Sequence, residues 1–455
     1  MMSGLSDRNE DHSPDGAAAP RFPDGAAALR FARAAVPAAV LCVVISTCAA
    51  AGQLLSGLFP DGVPGYGTAP GVTVLSRAHP ALDPPGIPGG GFRFWPRLDE
   101  TIGYDGNVFA RPGGPGSWLV RTQPSVLAAS DWSRHALGAY AALTGTNYLS
   151  VPGQSRVDGT VSVGAAMDIG EDHLTLGAAH VTRHEDRTGI DALPADRPVA
   201  VAVNDARVSH AMTWGRWTLT PNAEVSTWRY GAATILGAPV SQSWRDRTVL
   251  EGGVTLRYEL APSRNLILVS RVLDQNYAPP GAGQLSADST SYQILTGLDY
   301  DDDTVWRYRV LIGAEDRQFR AYSSRAGLLT EAEVIWTPSG LTTVRGGISR
   351  GIEDSAQEGV AGFTYTSVRL TIDHEYLRDV VVSASLGARR AVFLGAGGTQ
   401  TGFSGGAGVT WLVNRWARLS ATYERSAVRG ALTTAGASTG DYVRDLSLLT
   451  LRLGL

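Results

Sequence analysis

A hydrophobic period of two, with charge on its polar phase, recurs in segment after segment from Phe92 to the last residue, and it admits few folds. Within residues 306–317, Trp306, Tyr308, Val310, Ile312 and Ala314 fall on one face, while Arg307, Arg309, Gly313, Glu315 and Arg317 fall on the other, with Leu311 the one exception. Residues 366–376 set Val368, Leu370 and Ile372 against Ser367, Arg369, Thr371, Asp373 and Glu375. Residues 247–258 set Leu250, Val254 and Leu256 against Arg247, Glu251, Thr255 and Arg257. Alternation of this kind is a β-strand with one greasy and one charged face. Averaging two opposite faces also accounts for a chain that is 44% hydrophobic and 18% charged with a mean hydropathy close to zero. It excludes a polytopic helical membrane protein, which needs long apolar runs.

A soluble β-sandwich would alternate too, because its apolar faces meet each other. Three further features favour a membrane barrel. The pattern recurs about 18 times, beginning near Phe92, Trp118, Arg134, Arg156, His173, Val203, Arg216, Arg245, Arg264, Thr290, Thr304, Ala326, Gly340, Phe363, Arg378, Thr401, Arg415 and Tyr442. An even count returns both chain ends to one side of a bilayer. The connections alternate in length: tight turns at 130–132, 170–172, 214–215, 261–263, 301–303, 338–340, 377–379 and 413–415 alternate with longer Gly- and Ala-rich loops such as 186–200, 231–244, 277–289 and 429–441. Outer-membrane barrels have this asymmetry, with the short turns periplasmic.

The third feature is tryptophan. Trp132, Trp214, Trp217, Trp306, Trp336, Trp411 and Trp416 lie within a few residues of a tight turn, and Trp95 begins the first strand on the same side, so eight of 11 tryptophans mark one edge. Indole prefers the headgroup level, and the set reads as an aromatic girdle. The expected fold is an all-β transmembrane antiparallel up-and-down β-barrel of about 18 strands, with 16 to 18 acceptable, preceded by a disordered N-terminal arm. The stripe Leu449, Leu451, Leu453 and Leu455 would close it, with Leu in place of the usual terminal aromatic.

Ahead of the barrel the chain changes character. Arg30 and Arg33 precede an apolar run from Ala34 to about Ile45, and Ala49, Ala50 and Ala51 follow. Residues 1–51 therefore read as a signal peptide or leader. A single membrane anchor is the alternative, and lipoprotein processing at Cys48 a weaker one. Residues 52–91, with Pro84-Pro85 and Pro88-Gly89-Gly90-Gly91, read as a Pro/Gly-rich periplasmic linker or plug-like arm, and residues 92–455 as the outer-membrane barrel. Both cysteines, Cys42 and Cys48, fall in the leader, which leaves the remainder without thiol chemistry.

No constellation of enzymatic residues emerges. The histidines His12, His79, His135, His173, His180, His184, His210 and His374 form no HExxH and no His-x-His pair. His180 and His184 on a strand would stand about 13 Å apart. Ser133 with His135 reads as a surface turn, and Asp301-Asp302-Asp303 as a solvated turn rather than a calcium site. Gly395-Ala396-Gly397-Gly398 lacks the following helix of a phosphate loop. No catalytic residue, metal or cofactor is expected. With 39 basic residues, all Arg, against 43 acidic ones and no basic block, no nucleic-acid partner is expected either.

The region from about Phe92 to Leu455 resembles the outer-membrane β-barrel porins of Gram-negative bacteria, a group often encoded beside surface-polysaccharide genes. The likeness rests on Ile102-Gly103-Tyr104-Asp105-Gly106-Asn107-Val108-Phe109, on Ser130-Asp131-Trp132-Ser133-Arg134-His135-Ala136-Leu137 and on Arg183-His184-Glu185-Asp186-Arg187. It implies a place in the cell outer membrane and a link to exopolysaccharide export, and it supplies no catalytic residues.

If the apolar faces meet lipid, Arg247, Glu251, Arg257, Arg307, Arg309, Glu315, Arg317, Arg345, Arg369, Asp373, Glu375, Arg418, Glu424 and Arg452 line the lumen. On the lipid side each basic residue would cost about 2–4 kcal/mol near the midplane. Inside, they either orient polar solutes in a transverse field or pair with one another to fill the barrel. The expectation is a porin-like barrel for hydrophilic solutes, with a non-conducting structural or assembly barrel in a surface-polysaccharide system as the alternative. Expected partners are outer-membrane lipid and lipopolysaccharide, the barrel assembly machinery, and polysaccharide or export proteins.

Overall fold

The structure is a computed structural model that describes residues 59–60, 62–66, 73–281, 285–300, 305–395, 398–430, 433–434, 437–438 and 440–455. The leader, the turn at 301–303 and the middle of the 395–398 segment lie outside the described residues. Eighteen long antiparallel strands follow one another: β1 (Phe92–Asp105), β2 (Ser117–Ser130), β3 (Ala136–Tyr148), β4 (Arg156–Ile169), β5 (Asp172–His184), β6 (Ala200–Trp214), β7 (Trp217–Tyr230), β8 (Arg247–Ala261), β9 (Arg264–Tyr277), β10 (Ser289–Tyr300), β11 (Trp306–Phe319), β12 (Arg325–Ser339), β13 (Thr342–Glu353), β14 (Phe363–Leu377), β15 (Val380–Phe393), β16 (Thr399–Leu412), β17 (Ala417–Arg429) and β18 (Tyr442–Gly454). Each pairs with the next, and β1 closes the barrel on β18 through the register Arg97↔Gly454 to Asp105↔Leu446. Closure leaves no free edge, so every strand satisfies its backbone groups against two neighbours. The up-and-down barrel expected from the alternation is present, with eighteen strands.

Short turns gather at one end, called the turn end, and long connections at the other, the loop end. Gly170 and Gly215, at φ of 68° and 58°, allow two of the two-residue reversals, in a backbone region that residues with a Cβ rarely enter. The outward face is apolar over the middle of the strands, with Ile312, Leu370, Leu386, Phe403, Leu449 and Leu451 exposed. Trp132, Trp214, Trp217, Trp306, Trp336, Trp411 and Trp416 are exposed at the turn end, as a girdle requires, and Trp306 stacks on Trp336 with ring centroids 5.3 Å apart. Trp95 departs from the expectation. It sits at the turn end but faces inward, because the N-terminal arm covers it there.

Leu311, the exception in the alternation, is fully buried on the inward face with Ile267, Val269, Leu295 and Leu329. The period was not broken there; the inner wall of β9–β12 carries an apolar patch. The described part of the arm is packed rather than free, and Ile87–Gly89 adds a short strand antiparallel to Phe92–Phe94.

Candidate functional site: a lumen crossed at both ends

A row of inward glycines prepares the wall for the arm. Gly138 on β3 is the register partner of Gly164 on β4, and Gly164 is the partner of Gly177 on β5. A Cβ at Gly138 would collide with the carbonyl oxygen of Gly62, one at Gly164 with that of Pro64, and one at Gly177 with the ring of Tyr66. The missing side chains make a groove one residue deep, and the arm lies in it. Phe59, Val63 and Tyr66 complete a cluster with Leu127, Val181, Val203 and Trp228. Burying such side chains contributes about 1.5–3 kcal/mol each.

Polar contacts fix the register of this segment. The Tyr66 hydroxyl donates to Asp205 Oδ1 at 2.6 Å, and the Arg207 guanidinium lies over the Tyr66 ring at 4.4 Å while donating to the Gly65 carbonyl. Burial and the bond to Asp205 push the Tyr66 phenol well above its usual pKa. The next described stretch of arm meets the opposite wall. The Val74 amide donates to Thr343 Oγ1 on β13, Arg77 pairs with Glu375 on β14, and Asp83 pairs with Arg418 on β17 at 2.9 Å. Thus the arm crosses the lumen at the turn end.

The loop end is crossed by residues 185–199, between β5 and β6. Glu185 N donates to Val199 O and closes the base of this loop, and Glu185 forms an ion pair with Arg245. From there the loop reaches across the barrel. Tyr442 on β18 donates its hydroxyl to Thr188 O at 2.7 Å, and Gln400 on β16 accepts from the Asp191 amide at 2.8 Å. The Asp191 carboxylate accepts from Ser355 Oγ and from the Ala356 amide. Burial pushes Asp191 up to about 7, against the Ala356 bond and the Arg245 charge that favour the ionised form. Leu193, Ala195 and Val199 pack with Ala233, Ile235 and Ala356 over the mouth.

Between these crossings lies a small polar cavity, lined by Glu224, Trp228, Arg247, Glu251, Glu315 and Arg317 among others. Arg247 and Arg317 both clamp Asp354, whose ionised form they hold in spite of burial; the Arg247 distance is 3.4 Å. Arg247 also faces the ring of Trp228 at 4.7 Å.

All fourteen charged residues expected to line the lumen stand on the strand faces opposite the exposed apolar residues. Many meet acids or bases that sequence reading did not single out. Arg257 pairs with Asp299 at 3.4 Å, and Arg452 makes a two-point bond to Asp99 at 2.9 Å. Arg345 pairs with Asp373 at 2.7 Å, and Glu315 accepts from Gln293 at 3.2 Å. Arg309 stands opposite Asp299 and Glu333 in the register. Arg307 and Arg369 also have partners. Glu251 and Glu424 form no ion pair among the described residues. The histidines take ordinary roles: His184 Nδ1 meets Asp158 at 2.8 Å and His180 Nδ1 meets Asn204 at 2.8 Å, so the two do not converge.

Sequence reading missed the glycine row, Tyr66, Asp191 and Gln400. The glycines carried a signal, since Gly138, Gly164 and Gly177 occupy the polar phase of their strands, where a water-filled wall would carry side chains.

Residues 79–453 match a family described as "Putative beta-barrel porin 2". The chain belongs to that family. No curated protein matches this porin-family chain. Among solved structures it is similar to the FrpB iron transporter from Neisseria meningitidis (F5-1 variant), at 9% identity and a TM-score of 0.44, covering 81% of this chain and 83% of that one. It is also similar to OccK2 (OpdF) from Pseudomonas aeruginosa, at 11% identity and a TM-score of 0.44, covering 80% and 98%. The siderophore receptor PirA from Pseudomonas aeruginosa gives 9% identity and a TM-score of 0.43, covering 80% of each chain.

Proposed function

We propose that this family member is an outer-membrane porin that passes small hydrophilic solutes along the charged lumen, past the 185–199 loop and the arm. The observation that carries the reading is the closed eighteen-strand wall with a polar inner face. Barrels of about 16 to 18 strands are wide enough for an aqueous channel. In this reading the turn end is periplasmic and the loop end extracellular, as in other outer-membrane barrels. Outer-membrane lipid and lipopolysaccharide surround it, the barrel assembly machinery inserts it, and it has no enzymatic role.

Folded, heat-modifiable protein in a planar bilayer should conduct in discrete steps. Silence from such protein would overturn the open-channel reading. The two crossings favour a second reading, a non-conducting structural or assembly barrel in a surface-polysaccharide system. Deleting residues 52–86 separates the two: a porin conducts with or without the arm, whereas a scaffold conducts in neither form and loses its partner. A link to exopolysaccharide export would require a glycan to block the current from one side.

A further inference from the structure

We propose that the outward faces of β12–β17 are a docking surface for a phosphate-bearing lipid headgroup in the leaflet at the loop end; this rests on the membrane placement above. The register assembles one row across six strands: Thr330↔Arg350, Arg350↔Thr366, Thr366↔Arg390, Arg390↔Thr401 and Thr401↔Arg429. Threonine and arginine alternate without interruption. The row belongs to the lipid-facing side, because on the same strand faces Ile348, Val368, Leu386 and Phe403 are exposed, while the intervening Ala391, Gln400 and Val428 are buried.

The height of Arg390 and Arg429, each ten residues from a partner of Trp411, matches a membrane interface. Arg390 stands ten residues from Val380, the partner of Trp411 in the girdle. At about 3.3 Å per residue and a strand tilt of about 40°, that is about 25 Å of height, which is the height of the apolar band of such barrels. Arg429 ends β17, and Arg350 and Arg390 each lie three residues from the loop ends of β13 and β15.

Charge makes the occupant specific. On the outward positions of β12–β17 the charged residues are Arg350, Arg390, Arg425 and Arg429, and none is Asp or Glu. Arg425 is paired with Asp445 of β18 at 3.3 Å. Arg350 donates to Thr366 Oγ1 at 2.7 Å, and its Nε is buried without a partner. Arg390 and Arg429 are exposed and form no ion pair among the described residues. Successive arginines stand two strands, about 10 Å, apart with a hydroxyl between them. Guanidinium forks bind phosphate oxygens through two parallel bonds, so the row suits a headgroup bearing more than one phosphate. Anionic headgroups are held by basic side chains at just this level of a membrane protein.

The test uses the full folded chain in a neutral detergent and native mass spectrometry with three probes: diphosphorylated lipid A, lipid A with both phosphates removed, and inorganic pyrophosphate. Wild-type protein should prefer the diphosphorylated lipid at least tenfold over the dephosphorylated one and should bind pyrophosphate more weakly than the lipid. Arg390→Gln with Arg429→Gln should abolish that preference, and Arg390→Gln alone, which disturbs folding less, should reduce it at least threefold. Arg229→Gln, an outward arginine near the loop end of β7, should keep it. The proposal is overturned by a wild-type protein without phosphate preference, by a preference that survives the variants, or by pyrophosphate binding as tightly as the lipid. Conductance measured on the same preparations keeps the two readings apart: lipid preference without current would overturn the porin reading and leave this one standing.

Discussion

Tyr66 and Asp205, 139 positions apart, meet through a 2.6 Å hydrogen bond inside the barrel, and that bond ties the arm to β6. Asp205 Oδ1 also accepts from Arg207 Nε at 3.0 Å, while its Oδ2 is buried without a partner. Removing the Tyr66 donor therefore leaves a buried acceptor less satisfied, at a cost of about 1–3 kcal/mol. Tyr66→Phe should raise the population of undocked arm roughly 5- to 150-fold. Trypsin cleavage at Arg77 in folded, detergent-solubilised protein reads that population. An unchanged cleavage rate would show that the arm is held by its other contacts.

The glycine row makes a complementary prediction. A side chain at Gly164 would meet the Pro64 carbonyl oxygen, which is backbone and cannot swing aside. Gly164→Val should expel the arm segment while the strand, which favours β-branched residues, continues to pair. We expect a heat-modifiable barrel with larger unit conductance than wild type. Equal conductance would mean that the arm does not limit the lumen.

The barrel was legible because its signal is local and repeated. All eighteen strand starts lie within three residues of the positions read from the alternation, and Val203 against Ala200 is the largest difference. The outward faces were legible for the same reason, since lipid imposes one rule on every strand. What fills the lumen was not. Tyr66 with Asp205, or Asp191 with Gln400 and Ala356, are contacts between segments more than a hundred residues apart, and no period announces them. The Pro- and Gly-rich composition of 52–91 reads as linker because such residues carry little pattern. Its Val63 and Tyr66 become informative only once the groove over Gly138, Gly164 and Gly177 is known.

Asp354 tests the cavity. It is the shared partner of Arg247 and Arg317, both buried. Breaking a buried pair by removing one member costs about 3–5 kcal/mol, because the charge left behind has no compensation. Asp354→Ala should therefore lower the urea midpoint of the folded barrel measurably, whereas Asp445→Ala, which breaks an exposed pair with Arg425, should change it little, by about 0–1 kcal/mol. If the two variants unfold alike, the clamp contributes nothing to stability.

Asp191 makes the loop crossing sensitive to pH. A free aspartate titrates near 3.9, whereas burial raises Asp191 to about 7, against the hydrogen bonds from Ala356 and Ser355 that favour its ionised form. Between those values the docked loop holds more protons than the undocked one. Docking is therefore strongest below about pH 4 and is weakened as pH rises through about 7, by about 1.4 kcal/mol for each unit crossed. The charged groups around the carboxyl include Arg245, which opposes the shift, and Glu353 on β13. Loop 185–199 should accordingly leave the lumen more often at pH 8 than at pH 5, seen as higher open probability or a larger conductance step in planar bilayers. Asp191→Asn has no proton to lose and should flatten the response across that window. A pH step of the same size in Asp191→Asn would assign the response to another group and overturn this account of the loop.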